Sequence, residues 1–252
     1  MKLDEGIIPF SEAWANARIG RLTASKMNKI FVSGQGKDKL VGVGGMTYIH
    51  QKIGEILSRM MYDDVPETED ILRGLGNEQF AIQRYSEITG EPVHDSLLFE
   101  YNAIACGTTD GQILDYRNEI KAITEAKCPR PYKHQQILAI DAPIELKLID
   151  PQYYHQCQAN ILFTDSQYAD FISYNDDIKI YDLQIRIVRI YPDMAWRKEF
   201  SERIEWVADF MNTQLDKILK APERNLQLRI KDKGDEILKL QKAIENVKNI
   251  SV

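Results

Sequence analysis

A mixed α/β fold, one central β-sheet flanked by helices, is what three observations on this 252-residue chain point to. Tyr168–Tyr174 and Ile178–Ile190 alternate apolar and polar residues with the period of strands, the second ending in IRIVRI. Two further runs read as partners in one hairpin: AIACGTTDGQI from Ala103 to Ile113 and EIKAITEAKCP from Glu119 to Pro129, joined by the turn residues Asp115-Tyr116-Arg117-Asn118. The segments 46–61, 75–89 and Pro192 to Lys220 carry helical periodicity instead. With 44% hydrophobic residues the chain can bury a sizeable core. One domain is expected over residues 1–220 and a C-terminal helical extension over 221–252.

Taken in order, Ser11 is placed to cap a short helix through Ala17, and Thr23 or Ser25 to cap another. The glycine-rich stretch Ser33–Gly45 reads as a loop, and it lacks the G-x-x-x-x-G-K-[ST] spacing of a phosphate-cradling P-loop. The hairpin follows the second helix, and Pro129 stops its return strand. At the far end Ile237, Leu240, Ile244 and Val247 have heptad spacing. Two heptads fall short of a coiled coil, so a helix packed on its own subunit is expected, with a partner-binding or oligomer helix as the alternative.

Net charge is −6, which argues against a DNA-binding protein only if the total is what DNA senses. DNA responds to the local field. Residues 1–60 hold nine Lys/Arg against five Asp/Glu, the excess coming from Arg18, Arg21, Lys26 and Lys29. The cysteines Cys106, Cys128 and Cys157 are odd in number and lack CxxC spacing, which indicates neither a disulfide framework nor a zinc site. No apolar run reaches membrane-spanning length and MKLDEGIIPF lacks a signal pattern, so a cytoplasmic protein without membrane contact is expected. His155 belongs to no HExxH or histidine cluster.

The chemistry sits in the hairpin. On a strand residues i and i+2 share a face, so Glu125 and Lys127 point one way, Ala126 points the other, and Asp110 reaches the same face from the partner strand. Two carboxylates and a backbone carbonyl suit Mg²⁺, a hard cation that keeps several waters. An amine beside them can orient a nucleophile or stabilise charge on a phosphate. Without a cation the carboxylates repel one another, which raises at least one pKa.

Four segments in this order resemble one family. They are WANARIGRLTAS from Trp14 to Ser25, RGLGNEQFAIQRY from Arg73 to Tyr85, CGTTDGQI followed by ITEAKCP, and YYHQCQ from Tyr153 to Gln158. Together they are similar to the phage-type alkaline exonucleases, the lambda exonuclease and YqaJ-like viral recombinase family built on the PD-(D/E)xK nuclease core. Two positions depart from the pattern: Thr108 stands where a serine is frequent, and Thr109 replaces the proline before Asp110.

The resemblance implies a Mg²⁺-dependent 5′-to-3′ exonuclease on double-stranded DNA ends, with two ions per site and Mn²⁺ as a substitute. It implies catalytic roles for Glu78, Asp110, Glu125, Lys127 and Gln156. Asp110, Glu125 and the Ala126 carbonyl would bind one ion, and Asp110 would share the second with water held near Glu78. Arg18, Ser25, Thr108 and Gln158 would contact substrate. A ring-shaped homotrimer and a single-strand annealing protein are the implied partners. The three cysteines argue against the iron–sulfur relatives of this core, which need four thiolates. Two rivals stand beside this reading. A restriction or repair endonuclease on the same core would cut closed circular DNA. A non-catalytic DNA-end-binding scaffold would have no need of Asp110, Glu125 and Lys127 together.

Overall fold

A computed structural model describes residues 1–35, 40–62 and 69–220, leaving the side chains of 69–75 aside, and five positions beyond them, 231, 234, 238, 239 and 242. The chain packs into two compact units, Met1–Trp206 and Val207–Val252. Ile237, Leu240, Ile244 and Val247 of the heptad pattern lie outside the described residues, as do 36–39 of the glycine-rich stretch. The start of the expected C-terminal extension, residue 221, lies outside them too.

The first unit opens with α1 (Glu12–Arg18), started by Ser11, whose hydroxyl accepts a hydrogen bond from the Trp14 amide at 3.1 Å. Gly20 then takes φ +72°, a conformation costly for any residue with a Cβ, and donates its N–H to buried Glu55 at 2.9 Å. This bend delivers Leu22–Thr23 (β1) to the edge of a sheet. Thr23 precedes a 3₁₀ turn at Ala24–Lys26 without capping it; its hydroxyl pairs with the Tyr48 hydroxyl at 3.1 Å. Short α2 (Asn28–Phe31) leads to α3 (Val43–Ser58), which begins inside the stretch expected as loop. Next comes α4 (Glu69–Thr89), longer than its sequence pattern predicts and ended by Gly90 at φ +72°.

The strands Leu97–Glu100 (β2), Ala105–Thr109 (β3), Gly111–Leu114 (β4) and Ile120–Lys127 (β5) follow. The predicted hairpin exists as β4 and β5, with Gly111 opposite Thr124 and Asn118 left-handed in the turn. The run from Ala103 to Ile113 is not one strand, however. It breaks at Asp110, and β3 joins a different sheet, pairing in parallel with β1 and antiparallel with β2. The sheet that β3 joins is set by its partners β1 and β2, which periodicity within the run does not reveal.

Helices α5 (Pro131–Leu138), α6 (Glu145–Ile149) and α7 (Pro151–Thr164) form the crossover from β5 to its parallel neighbour, Tyr168–Tyr174 (β6). Ile185–Ile190 (β7) closes the sheet in the order β4-β5-β6-β7. The strand expected from Ile178 starts only at Ile185. Asn175 accepts from the Asp177 amide at 2.9 Å and the chain makes a 3₁₀ turn at Tyr181–Leu183, local polar bonds that displace pairing. Helix α8 (Met194–Leu219) then runs on into the second unit. No described helix is long and apolar enough to cross a membrane.

One sheet face packs on α4 through Ala81, Tyr85, Ile113, Ala122, Ala126, Tyr168, Ile172 and Ile185. The other meets α7, which is buried nearly all round and so lacks an amphipathic stripe. Although Asn160 Oδ1 is left without a partner, the polar side chains of α7 survive burial through hydrogen bonds. His155 shows this: its Nδ1 accepts from Trp196 Nε1 at 2.8 Å, and Phe31 lies against its ring at 4.3 Å. Indole can only donate, so this nitrogen must be unprotonated. Burial, with Lys147 and Arg203 adding to it, holds the His155 pKa down at about 4.

A depressed histidine contributes stability that is whole above the unfolded pKa near ~6.5 and is lost as pH falls through the folded value. His155→Gln, which keeps an acceptor but cannot titrate, is expected to remove about 3 kcal/mol of the stability lost between those pH values. Parallel denaturation-versus-pH curves for wild type and variant would refute this.

Candidate active site

Strand β5 ends in the sequence Glu125-Ala126-Lys127, and its alternation sends Ala126 into the α4-side core while Glu125 and Lys127 face the other way. Asp110 stands where the chain leaves β3 and enters β4. Its backbone N–H still bonds to Thr124 O at 3.2 Å, but the next ladder bond is made by its side chain, Oδ2 accepting from the Ala126 amide at 2.7 Å. The switch between sheets thus leaves a β5 amide without a strand partner, and the aspartate takes it.

Lys127 gathers the rest. Its Nζ donates to Glu125 Oε1 and, at 2.9 Å, to the Ala126 carbonyl, and lies 3.6 Å from Asp110 Oδ2. An ammonium group therefore stands where two carboxylates and a carbonyl converge. Glu125 is fully buried, and α7 supplies its remaining bonds: Gln156 Nε2 donates to Oε1 and Asn160 Nδ2 to Oε2 at 3.2 Å. Asn160 also donates to Thr108 O at 3.0 Å, tying α7 to β3. Gly107 permits that approach, since a Cβ there would lie 2.1 Å from Asn160 Oδ1.

Three carboxyls face one amine. Burial first, then the Asp110 charge, pushes Glu125 up to about 8, with Lys127 opposing. The same two causes raise Glu78, on α4, to about 7. Lys127 is held well above the ordinary lysine value by Glu125, Asp110 and Glu78 despite its burial. Such a site takes up positive charge readily. Its donors are all oxygens, the set a hard divalent cation prefers. Among the described residues no three His, Cys, Asp or Glu side chains enclose a metal, and the further oxygen at this cluster is the Ala126 carbonyl, to which Lys127 donates.

A cleft of about 490 Å³ opens beside the cluster, lined by Glu78 and Asp110 together with Phe10, Trp14, Arg18 and Thr108. Trp14 Nε1 donates to the Thr108 hydroxyl at 3.3 Å, and the Arg18 guanidinium lies 4.3 Å from the Trp14 ring. The N-terminal motif is thereby fastened beside the hairpin. Residues 13–167, more than half of the chain, match the family model described as the YqaJ-like viral recombinase domain. The chain belongs to that family.

Solved structures similar to this YqaJ-like chain have the same fold. The alkaline exonuclease LHK-Exo from Laribacter hongkongensis superposes with a TM-score of 0.71 at 23% identity, over 85% of this chain and 99% of that one. Its complex with dAMP gives 0.71 at 24%, over 86% and 100%. A phage related exonuclease from Haemophilus somnus 129PT gives 0.62 at 16%, over 79% and 96%. No curated protein matches the sequence. The mixed α/β architecture of this YqaJ-like protein is accordingly the fold of those solved structures.

The YqaJ-like fold unites Asp110, Glu125, Ala126, Lys127 and Gln156, and sets Glu78, Arg18 and Thr108 along the adjoining cleft. Gln158 is not brought there. It is buried with both ends of its amide in use, Nε2 donating to Tyr191 O at 2.8 Å and Oε1 accepting from the Asp193 amide at 2.9 Å, which makes it a brace to the loop after β7 rather than a substrate contact. Ser25 is not among the residues lining the cleft, and its hydroxyl faces Thr23 at 3.3 Å. Asn160 escaped sequence reasoning. Its signal was available, because it lies four residues after Gln156 and so on the same helix face.

Proposed function

We propose that this protein is a Mg²⁺-dependent exodeoxyribonuclease that degrades one strand of linear double-stranded DNA from 5′ to 3′, leaving 3′ single-stranded overhangs for phage-type recombination. The observation that carries the reading is the convergence of Asp110, Glu125 and the Ala126 carbonyl on one cationic group beside an open cleft. These three would hold Mg²⁺, or Mn²⁺ in its place, with a second ion between Asp110 and water near Glu78. Bound there, the metal supplies Lewis-acid polarisation of the scissile phosphate and a more acidic water.

The side chains do the rest. Gln156 and Asn160 fix both Glu125 oxygens, so the carboxylate meets the cation preorganised. The Lys127 ammonium, 3.6 Å from Asp110 Oδ2, would orient the nucleophile and stabilise charge on the phosphate. Arg18 and the Thr108 hydroxyl line the same cleft and bind the terminal 5′-phosphate through charge-assisted hydrogen bonds. The Laribacter relative in complex with dAMP fits this use of the fold, since a nucleoside monophosphate is what stepwise cleavage releases.

Linear duplexes labelled at either end, carrying a 5′-phosphate or a 5′-hydroxyl, compared with a covalently closed circle, test the proposal. Mg²⁺-dependent loss of the 5′ label, faster from phosphorylated ends, with the circle intact, is expected. Cutting of the circle would make the protein an endonuclease, and failure to cut any substrate would leave an end-binding scaffold. The family resemblance further implies a ring-shaped homotrimer that keeps DNA enclosed between cuts and hands its overhang to an annealing protein. Light scattering is expected to give three times 29.1 kDa, and a monomer that still digests long duplexes without release would refute the ring.

A further inference from the structure

Phe10 is placed at a cost that the free protein does not recover. It follows Pro9 in a tight turn closed by the Ser11 amide and hydroxyl, which donate to Ile8 O at 3.4 and 2.7 Å. Its φ of +63° puts a bulky L-residue at the turn position that normally takes glycine or asparagine. Such conformations are strained, and they concentrate at functional sites. The position before a helix cap can hold an apolar residue that packs on the helix, but this ring is 83% exposed and buries too little to offset the strain. It meets Trp14 with ring centroids 5.3 Å apart and planes tilted by 39°.

Its surroundings suit a nucleotide. Phe10 lines the cleft that holds Arg18, Thr108 and Asp110, and the Trp14 beneath it is already engaged by the Arg18 guanidinium and the Thr108 hydroxyl. Of the phenylalanine and tryptophan rings that line the cleft, Phe10 is therefore the one left open. We infer that Phe10 is a stacking platform for the terminal nucleobase of the DNA strand whose phosphate enters the cleft. The inference rests on the nuclease reading of the same site and adds a base-binding position to it. Every base has a π-face, so such a platform is sequence-tolerant, as an enzyme acting on any DNA end requires.

The test uses a linear duplex with 2-aminopurine at its 5′ terminus, bound in EDTA so that nothing is cut, with binding followed by anisotropy. Wild type is expected to quench the fluorophore. Phe10→Gly, which suits the turn and should fold at least as stably, is expected to bind without quenching, and Phe10→Tyr to quench like wild type. With Mg²⁺, wild type is expected to cut a natural 5′ end about tenfold faster than an abasic one, a ratio that falls to near one in Phe10→Gly. Equal quenching by wild type and Phe10→Gly, or an unchanged rate ratio, overturns the inference. Phe10-dependent quenching by a wild type that cuts no DNA would instead sink the nuclease reading and leave the stacking site standing.

Discussion

Glu125→Ala and Lys127→Ala are each expected to slow digestion of linear duplex DNA by ~10²–10³-fold or more, the scale on which one preorganised charge-stabilising group acts. The two losses differ in kind. Glu125 is a proposed cation ligand, so its removal weakens metal binding, and part of the rate should return as Mg²⁺ or Mn²⁺ is raised. Lys127 is not a ligand, and its removal should leave metal binding intact and the deficit unmoved by metal concentration. Glu125→Ala also strands the amides of Gln156 and Asn160 in a buried site. Glu125→Gln, which keeps an acceptor, is therefore the control for folding. Rates within a few-fold of wild type in either alanine variant would remove this cluster from the chemistry.

Arg189→Ala is expected to destabilise the fold by about 3 kcal/mol, roughly 6–12 °C in melting temperature for a chain of this size. Asp170 of β6 is fully buried and faces Arg189 of β7 across the ladder. The guanidinium donates to both its oxygens at 2.8 Å, the Tyr85 hydroxyl of α4 adds a bond at 2.6 Å, and the Tyr168 ring lies 3.9 Å from the Arg189 carbon. Truncating the arginine leaves a buried carboxylate with Tyr85 alone. Arg189 is 43% exposed, so water compensates in part and the lower end of the range for broken buried pairs applies. Tyr85→Phe, which removes one hydrogen bond and no charge, should cost about 1 kcal/mol. Chemical denaturation of the two variants gives the comparison. An Arg189→Ala loss no larger than that of Tyr85→Phe would show that the pair is not a stabilising contact between β6 and β7.

Local periodicity was enough to place Glu125 and Lys127 on one face of a strand and Ala126 on the other, because a two-residue repeat requires nothing from the rest of the chain. It also located α1 from the Ser11 cap and the return strand from its turn residues. Motif order carried the family. These are short-range signals, written in consecutive residues.

Asp110 marks where that kind of signal ends. Its residue type announces chemistry, but the passage from one sheet to another at that point depends on which strands β3 and β4 find as partners. Helix α7 makes the same point three times over. Gln156, Gln158 and Asn160 are alike as side chains, all buried and all amides. Two of them hold Glu125 and the third braces the loop at Tyr191 and Asp193, a division set by a helix buried on every side and by Gly107 letting β3 come close. A buried amide must find a partner wherever its helix face points, and what lies opposite that face comes from strands and loops distant in the chain.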